Sequence, residues 1–107
     1  MGEKRRAPRV SWFVEAKVLC VEQDLHWNVR LSDISEGGCF VDTIVPLASG
    51  TKVLVKIEHA GNNLEIPGRV LYDQMGIGSA IEFEPLEPLL HSQVLKIIEA
   101  KAAESSI

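Results

Sequence analysis

Long apolar runs are missing from this sequence. No stretch approaches the roughly 18 uncharged residues that a membrane-crossing helix needs, and the basic N-terminus leads into no apolar segment. Neither a membrane span nor a Sec-type signal peptide is therefore expected, and the chain is placed in the cytoplasm. Cysteine is scarce as well: Cys20 and Cys39 stand 19 residues apart in apolar surroundings, which suits neither a CxxC redox pair nor a zinc knuckle, and both are read as buried reduced thiols. His26, His59 and His91 are widely separated with no companion ligand nearby, so no metal site is expected. The chain has no GxSxG elbow, no GxxxxGK[ST] loop and no GxGxxG after a strand, and no Ser-His-Asp or Cys-His set is evident. Gly76-Ile-Gly78 is too short a match to mean more than a tight turn. No catalytic residue is nominated, and the protein is not expected to be an enzyme. Six aromatics in all offer few platforms on which the bases of a nucleic-acid strand could stack.

What remains is ordinary globular material: 107 residues, 46% hydrophobic and 24% charged, fitting one domain with one core. The net charge of −4 conceals an uneven distribution. Residues 1–13 hold Lys4, Arg5, Arg6 and Arg9 against Glu3, a local +3, and the other 94 residues hold seven cations and fourteen anions, a local −7. An acidic body with one basic arm lacks the cationic stripe needed to track a polyphosphate backbone, so nucleic acid is not the expected partner. A small anionic ligand fits better.

Period-two alternation rich in β-branched residues marks strands at Val14–Val21 and His26–Leu31, then at Cys39–Val41 after the turn formers Asp33–Gly38. Further strands are expected at Thr51–His59, Leu64–Tyr72 and Ile77–Phe83, with a hairpin turn at Ala60–Asn63. Six short strands with short turns predict an all-β fold, a closed or nearly closed antiparallel barrel. Pro85 and Pro88 end the β region, and Leu90, Val94, Ile97 and Ile98 recur at helical spacing within Leu89–Ala103. That stripe predicts a C-terminal helix packed on the mouth or flank of the barrel, or else a homodimer. The chain divides into an arm at 1–12, a barrel with its helix at 13–103 and a frayed tail at 104–107.

Two segments carry chemistry. In Arg5-Arg6-Ala7-Pro8-Arg9 the proline disfavours helix, leaving an extended or turning arm whose guanidiniums can grip phosphate, bond a guanine edge or stack on a purine. Asp33-Ile34-Ser35-Glu36-Gly37-Gly38 offers a carboxylate and a hydroxyl that share one face of a strand, then two glycines without side-chain bulk. A carboxylate can accept from guanine N1–H and its exocyclic amine, and bare backbone N–H groups can approach an anion. Taken alone, the first is equally a solvated terminus and the second an Asx or Ser turn.

Arg-x-x-x-Arg (Arg5, Arg9) followed by Asp-x-Ser-x-x-Gly (Asp33, Ser35, Gly38), with Gly68–Tyr72, Gly76–Gly78 and Ile81–Phe83 downstream, resembles the PilZ domain family from about Arg5 to the end of the helix. The resemblance implies a six-stranded barrel with a C-terminal helix, acting in bacteria as a receptor for cyclic di-GMP. It implies that Arg5 and Arg9 hold the ligand with Arg6 as an auxiliary contact, that Asp33 and Ser35 read a guanine edge, and that Gly37 and Gly38 let the backbone close in. Tyr72 is either a wall of that site or an ordinary strand aromatic. Trp27 reads as core or barrel surface, and Arg30 as a supporting cation near the site or a solvated side chain. The arm would order on binding and signal to a separate protein of motility, pilus, polysaccharide or transcription machinery, from a monomer or a homodimer. A ligand-independent interaction domain and a small nucleic-acid-binding barrel are the other readings.

Overall fold

The computed structural model describes residues 8–105. Six strands follow in order: β1 (Val10–Cys20), β2 (Leu25–Ser35), β3 (Gly38–Asp42), β4 (Lys52–His59), β5 (Asn62–Gln74) and β6 (Gly78–Phe83). One helix, α1 (Pro88–Ser105), completes the chain. All neighbouring strands are antiparallel, and they close a barrel in the order β1-β2-β3-β6-β5-β4, with β4 returning to β1 through pairs such as Val18 with Val55. Closure leaves no sheet edge to attract another chain.

Alternation explains the packing. In β1, Ala16, Val18 and Cys20 point inward and Glu15, Lys17 and Leu19 outward. β4 repeats this with Val53, Val55 and Ile57. Leu31, Ile34, Val41, Ile66 and Ile81 come inward from the remaining strands and are fully shielded. Each such side chain is worth about 1.5–3 kcal/mol of transfer from water. From α1, Val94, Ile97 and Ile98 join the same core, with Leu90 packed against its edge. The helix lies on β1 and β2, so its apolar stripe is satisfied within the chain.

The strands are longer than their alternation predicts. β1 begins at Val10, with Val10 and Trp12 buried, so the expected boundary between arm and barrel at residue 12 falls inside a strand. β2 runs through Asp33 and Ser35, which were expected in a turn. The hairpin between β4 and β5 turns on two residues only, Ala60 (φ 52°) and Gly61 (φ 81°), and Asn62 and Asn63 already pair with His59 and Glu58. The helix reaches Ser105, two residues beyond its expected end.

Three bulges interrupt the ladders. In β2, Leu31 pairs with Val41 and Asp33 with Phe40, which leaves Ser32 as an extra residue. In β5, Val70 pairs with Ile81 and Tyr72 with Ala80, which leaves Leu71 extra. In β1 the register shifts between Ser11 and Val14. A one-residue insertion reverses the inside-outside phase of everything beyond it.

Candidate functional site

Those phase reversals build the site. Val29 and Leu31 point inward, so in an unbroken strand Asp33 and Ser35 would follow them into the core. The extra residue at Ser32 sends Ile34 inward instead and turns Asp33 and Ser35 to the outer wall. In the same way Val70 is inward, and the extra Leu71 leaves Leu71 and Tyr72 both about half exposed, at 49% each. Without these two irregularities a carboxylate and a phenol would be buried without their water, at a cost of several kcal/mol.

Arg9 immediately precedes β1, and Ser11 faces Asp33 across the β1–β2 ladder. This register brings the arginine to the aspartate across a separation of 24 positions: Arg9 Nη2 donates to Asp33 Oδ1 at 3.1 Å. Both side chains are partly in water, so the pair itself contributes at most about 1 kcal/mol. Arg9, Ser35, Gly37, Gly38 and Tyr72 line one shallow cleft of about 170 Å³, whose floor is Cys39, Ala80 and Ile81 and whose rim is completed by Leu71 and Glu82. Five of the eight residues nominated from the sequence thus share one cleft, and Asp33 stands behind Arg9. Arg5 and Arg6 lie outside the described residues.

The two glycines serve different ends. A Cβ on Gly38 would drive into the carbonyl oxygen of Ile81 on β6, so this glycine permits close approach of β3 to β6. A Cβ on Gly37 would meet nothing within 4 Å, and the Gly37 carbonyl accepts from the Phe83 amide at 2.8 Å. The turn between them and β2 is pinned further: Ser35 Oγ donates to the Gly38 carbonyl at 3.4 Å, and Glu36 Oε2 lies 2.8 Å from His91 Nε2 on α1.

Beneath the cleft, Cys39 is sealed in the barrel wall. Burial pushes its thiol well above the ordinary range, the Asp33 charge pushes in the same direction, and Arg9 opposes both. Cys20 is raised by burial too, and neither cysteine is in a disulfide. Arg30 does not reach the cleft: its Nε and Nη2 both donate to Asp42 Oδ2, at 3.0 and 2.7 Å, and its guanidinium lies 4.9 Å from the centre of the Phe13 ring. Trp27 packs against the core, as read, with its indole Nε1 shielded and unpartnered among the described residues.

Leu71, Ala80, Ile81 and Glu82 were not nominated from the sequence. Their β6 or bulge positions reveal themselves only once strand pairing is known. A larger groove of about 430 Å³ on the opposite wall is flanked by Glu15, Lys17, Lys56, Glu58 and Glu65, charges of both signs that select no one ligand. Among the described residues no cluster of histidine, cysteine, aspartate or glutamate is disposed to hold a metal ion, and no helix is long and apolar enough to cross a membrane.

Residues 3–100 match the family described as PilZ domain. The chain belongs to the PilZ family. Solved structures, two of them PilZ domains, share its fold at low sequence identity. The PilZ domain of CeSA from a cellulose-synthesizing bacterium superposes with TM-score 0.74 at 20% identity, over 88% of this chain and 97% of that one. The PilZ domain of Escherichia coli YcgR, solved with c-di-GMP, gives TM-score 0.74 at 17% identity, over 96% and 95%. The K. pneumonia MrkH–c-di-GMP complex gives 0.77 at 15%, covering 98% of this chain and 54% of the larger protein. No curated protein matches the sequence. Arg9 closes the Arg-x-x-x-Arg pattern of the sequence and Asp33, Ser35 and Gly38 its Asp-x-Ser-x-x-Gly pattern, so the ion pair at 3.1 Å is a contact between the two segments nominated above.

Proposed function

We propose that this PilZ domain is a cytosolic, non-enzymatic receptor for cyclic di-GMP. The contact between Arg9 and Asp33 beside the cleft carries the proposal, because it unites the two motifs at one place on the outer wall. The YcgR PilZ domain and MrkH, which share this fold, were both solved with that ligand.

The chemistry follows from the residues. A cleft of about 170 Å³ is below the roughly 300–1,000 Å³ that encloses a drug-sized ligand, so it seats one base and leaves the remaining atoms on the surface. Tyr72 supplies a flat wall for that base, and the Ser35 hydroxyl and the backbone at Gly37 supply polar contacts. Asp33 holds the Arg9 guanidinium toward the cleft, where its plane can stack on a purine and its N–H groups can meet a phosphate oxygen. Arg5 and Arg6 bring the further positive charge that two phosphates require. Since the exposed Arg9–Asp33 pair is weak in isolation, recruiting Arg9 to the ligand costs little.

The arm then acts as the reporter. β1 starts at Val10, so the residues left to gather around the ligand are those before Arg9. Their ordering creates a surface that a separate protein can recognise. Titration calorimetry with cyclic di-GMP tests the receptor, and amide exchange tests the switch: protection of residues 3–7 rises on ligand addition, while β1 is protected throughout. Absence of heat and of any thermal shift at millimolar ligand refutes the receptor; unchanged exchange in the arm at saturation refutes the switch.

A further inference from the structure

The cleft contains a carboxylate that neither motif accounts for. Glu82 sits on the outer face of β6, opposite Gly38 of β3 and Arg69 of β5, and it lines the cleft together with Arg9, Ser35 and Tyr72. Its cross-strand neighbour Arg69 is turned to Glu84, at 3.8 Å. Among the described residues the Glu82 side chain makes no hydrogen bond or ion pair, in contrast to Asp33, which is occupied by Arg9 and does not line the cleft. Gly38 directly across the ladder presents no side chain, so nothing on β3 covers the Glu82 carboxylate from that side.

A free carboxylate is a poor neighbour for phosphate. At the rim of a cleft that takes an anionic ligand it weakens binding, unless the group nearest to it is a hydrogen-bond donor. Guanine provides that donor: its N1–H and exocyclic amine lie side by side, matched to the two oxygens of a carboxylate. Adenine presents the bare N1 lone pair on the same edge, and hypoxanthine keeps N1–H but lacks the amine.

Building on the cyclic di-GMP reading, we infer that Glu82 is a specificity-determining residue that accepts from the N1–H and amine edge of the guanine seated in the cleft. Arg9 and Tyr72 hold the base by its faces and phosphates, contacts that any purine can make. Glu82 supplies the contact that depends on which purine it is. Guanine is therefore preferred over hypoxanthine, and hypoxanthine over adenine. One charge-assisted hydrogen bond corresponds to about 10- to 150-fold in affinity.

Calorimetry of the whole chain, Glu82→Gln and Glu82→Ala with cyclic di-GMP, cyclic di-IMP and cyclic di-AMP tests this. The unaltered chain is expected to prefer cyclic di-GMP over cyclic di-IMP by about 10-fold or more, and over cyclic di-AMP by a wider margin. Both variants are expected to narrow the first ratio to within about 3-fold, chiefly by losing affinity for cyclic di-GMP, with melting temperatures unchanged because Glu82 is exposed. Unaltered ratios in variants that still bind overturn the inference. So does tighter binding of all three ligands by Glu82→Ala, which would make Glu82 a repulsive charge. Failure of the unaltered chain to bind any cyclic dinucleotide overturns the receptor reading and this inference with it, a result easily told from the other two.

Discussion

If Asp33 serves the ligand by holding Arg9, the two residues must act as one unit. In the ligand-free protein their link is a single bond of 3.1 Å between side chains that are 55% and 31% exposed. A pair so placed contributes about 0–1 kcal/mol to folding, so Arg9→Ala and Asp33→Ala should each lower the melting temperature by only a few degrees. Binding is a different matter. Arg9→Ala removes a charge-assisted contact worth roughly 1.5–3 kcal/mol, a loss of about 10- to 150-fold in affinity for cyclic di-GMP. Asp33→Ala releases the guanidinium from its seat and should lose less, about 0.5–1.5 kcal/mol or roughly 2- to 13-fold, because an arginine free to swing must be ordered again on binding. Removing both should then cost little more than removing Arg9 alone, giving a coupling energy of about 0.5–1.5 kcal/mol in a double-mutant cycle. Titration calorimetry on the four proteins at one low ionic strength measures it, with thermal melts as the control for folding. Additive losses would show that Asp33 meets the ligand independently of Arg9, and the positioning role assigned to it would be wrong.

Other expectations can be checked more quickly. Gly38→Ala forces a methyl into the Ile81 carbonyl on β6; a loss of more than about 2 kcal/mol of stability by chemical denaturation is expected, and an unchanged midpoint would contradict it. Ala60 adopts a left-handed conformation at φ 52°, which costs a residue with a Cβ about 1 kcal/mol. Ala60→Gly should therefore raise the melting temperature by a few degrees. The Cys39 and Cys20 thiols are raised by burial, so the folded state keeps protons that the unfolded chain releases above about pH 8.5. Stability due to these groups is complete below that pH and falls as pH rises beyond it, by up to about 1.4 kcal/mol per pH unit per thiol. Denaturation at pH 8 and pH 10 measures the slope, and Cys39→Val should shrink it.

The barrel was legible because alternation is a local signal. Val53, Val55 and Ile57 in β4, or Leu64 and Ile66 in β5, announce one buried face whatever their partners are. The helix was legible for the same reason, through Val94, Ile97 and Ile98. The bulges were not. Ser32-Asp33 and Leu71-Tyr72 break the alternation, and a break reads equally as a strand end, which is why β2 and β5 were expected to stop near them. Only the partner strand shows that pairing continues on the far side. The site was therefore legible as two motifs but not as a place: that Tyr72 shares a cleft with Ser35, that Glu82 faces it, and that Arg30 is spent on Asp42 all depend on which strands lie side by side. Trp12, treated as arm, belongs to the core and meets His59 edge to face with ring centres 5.2 Å apart.

The lumen of this barrel is filled by Leu31, Val41, Val55, Ile66 and Ile81, with no exposure left to any of them beyond 1%. Such an interior leaves no lumen in which a small molecule could sit, so a ligand of this barrel has to be taken on its outer wall. The Glu36–His91 contact at 2.8 Å ties the turn beside the cleft directly to the helix, and on the receptor reading proposed above that flank is where a bound ligand would be felt.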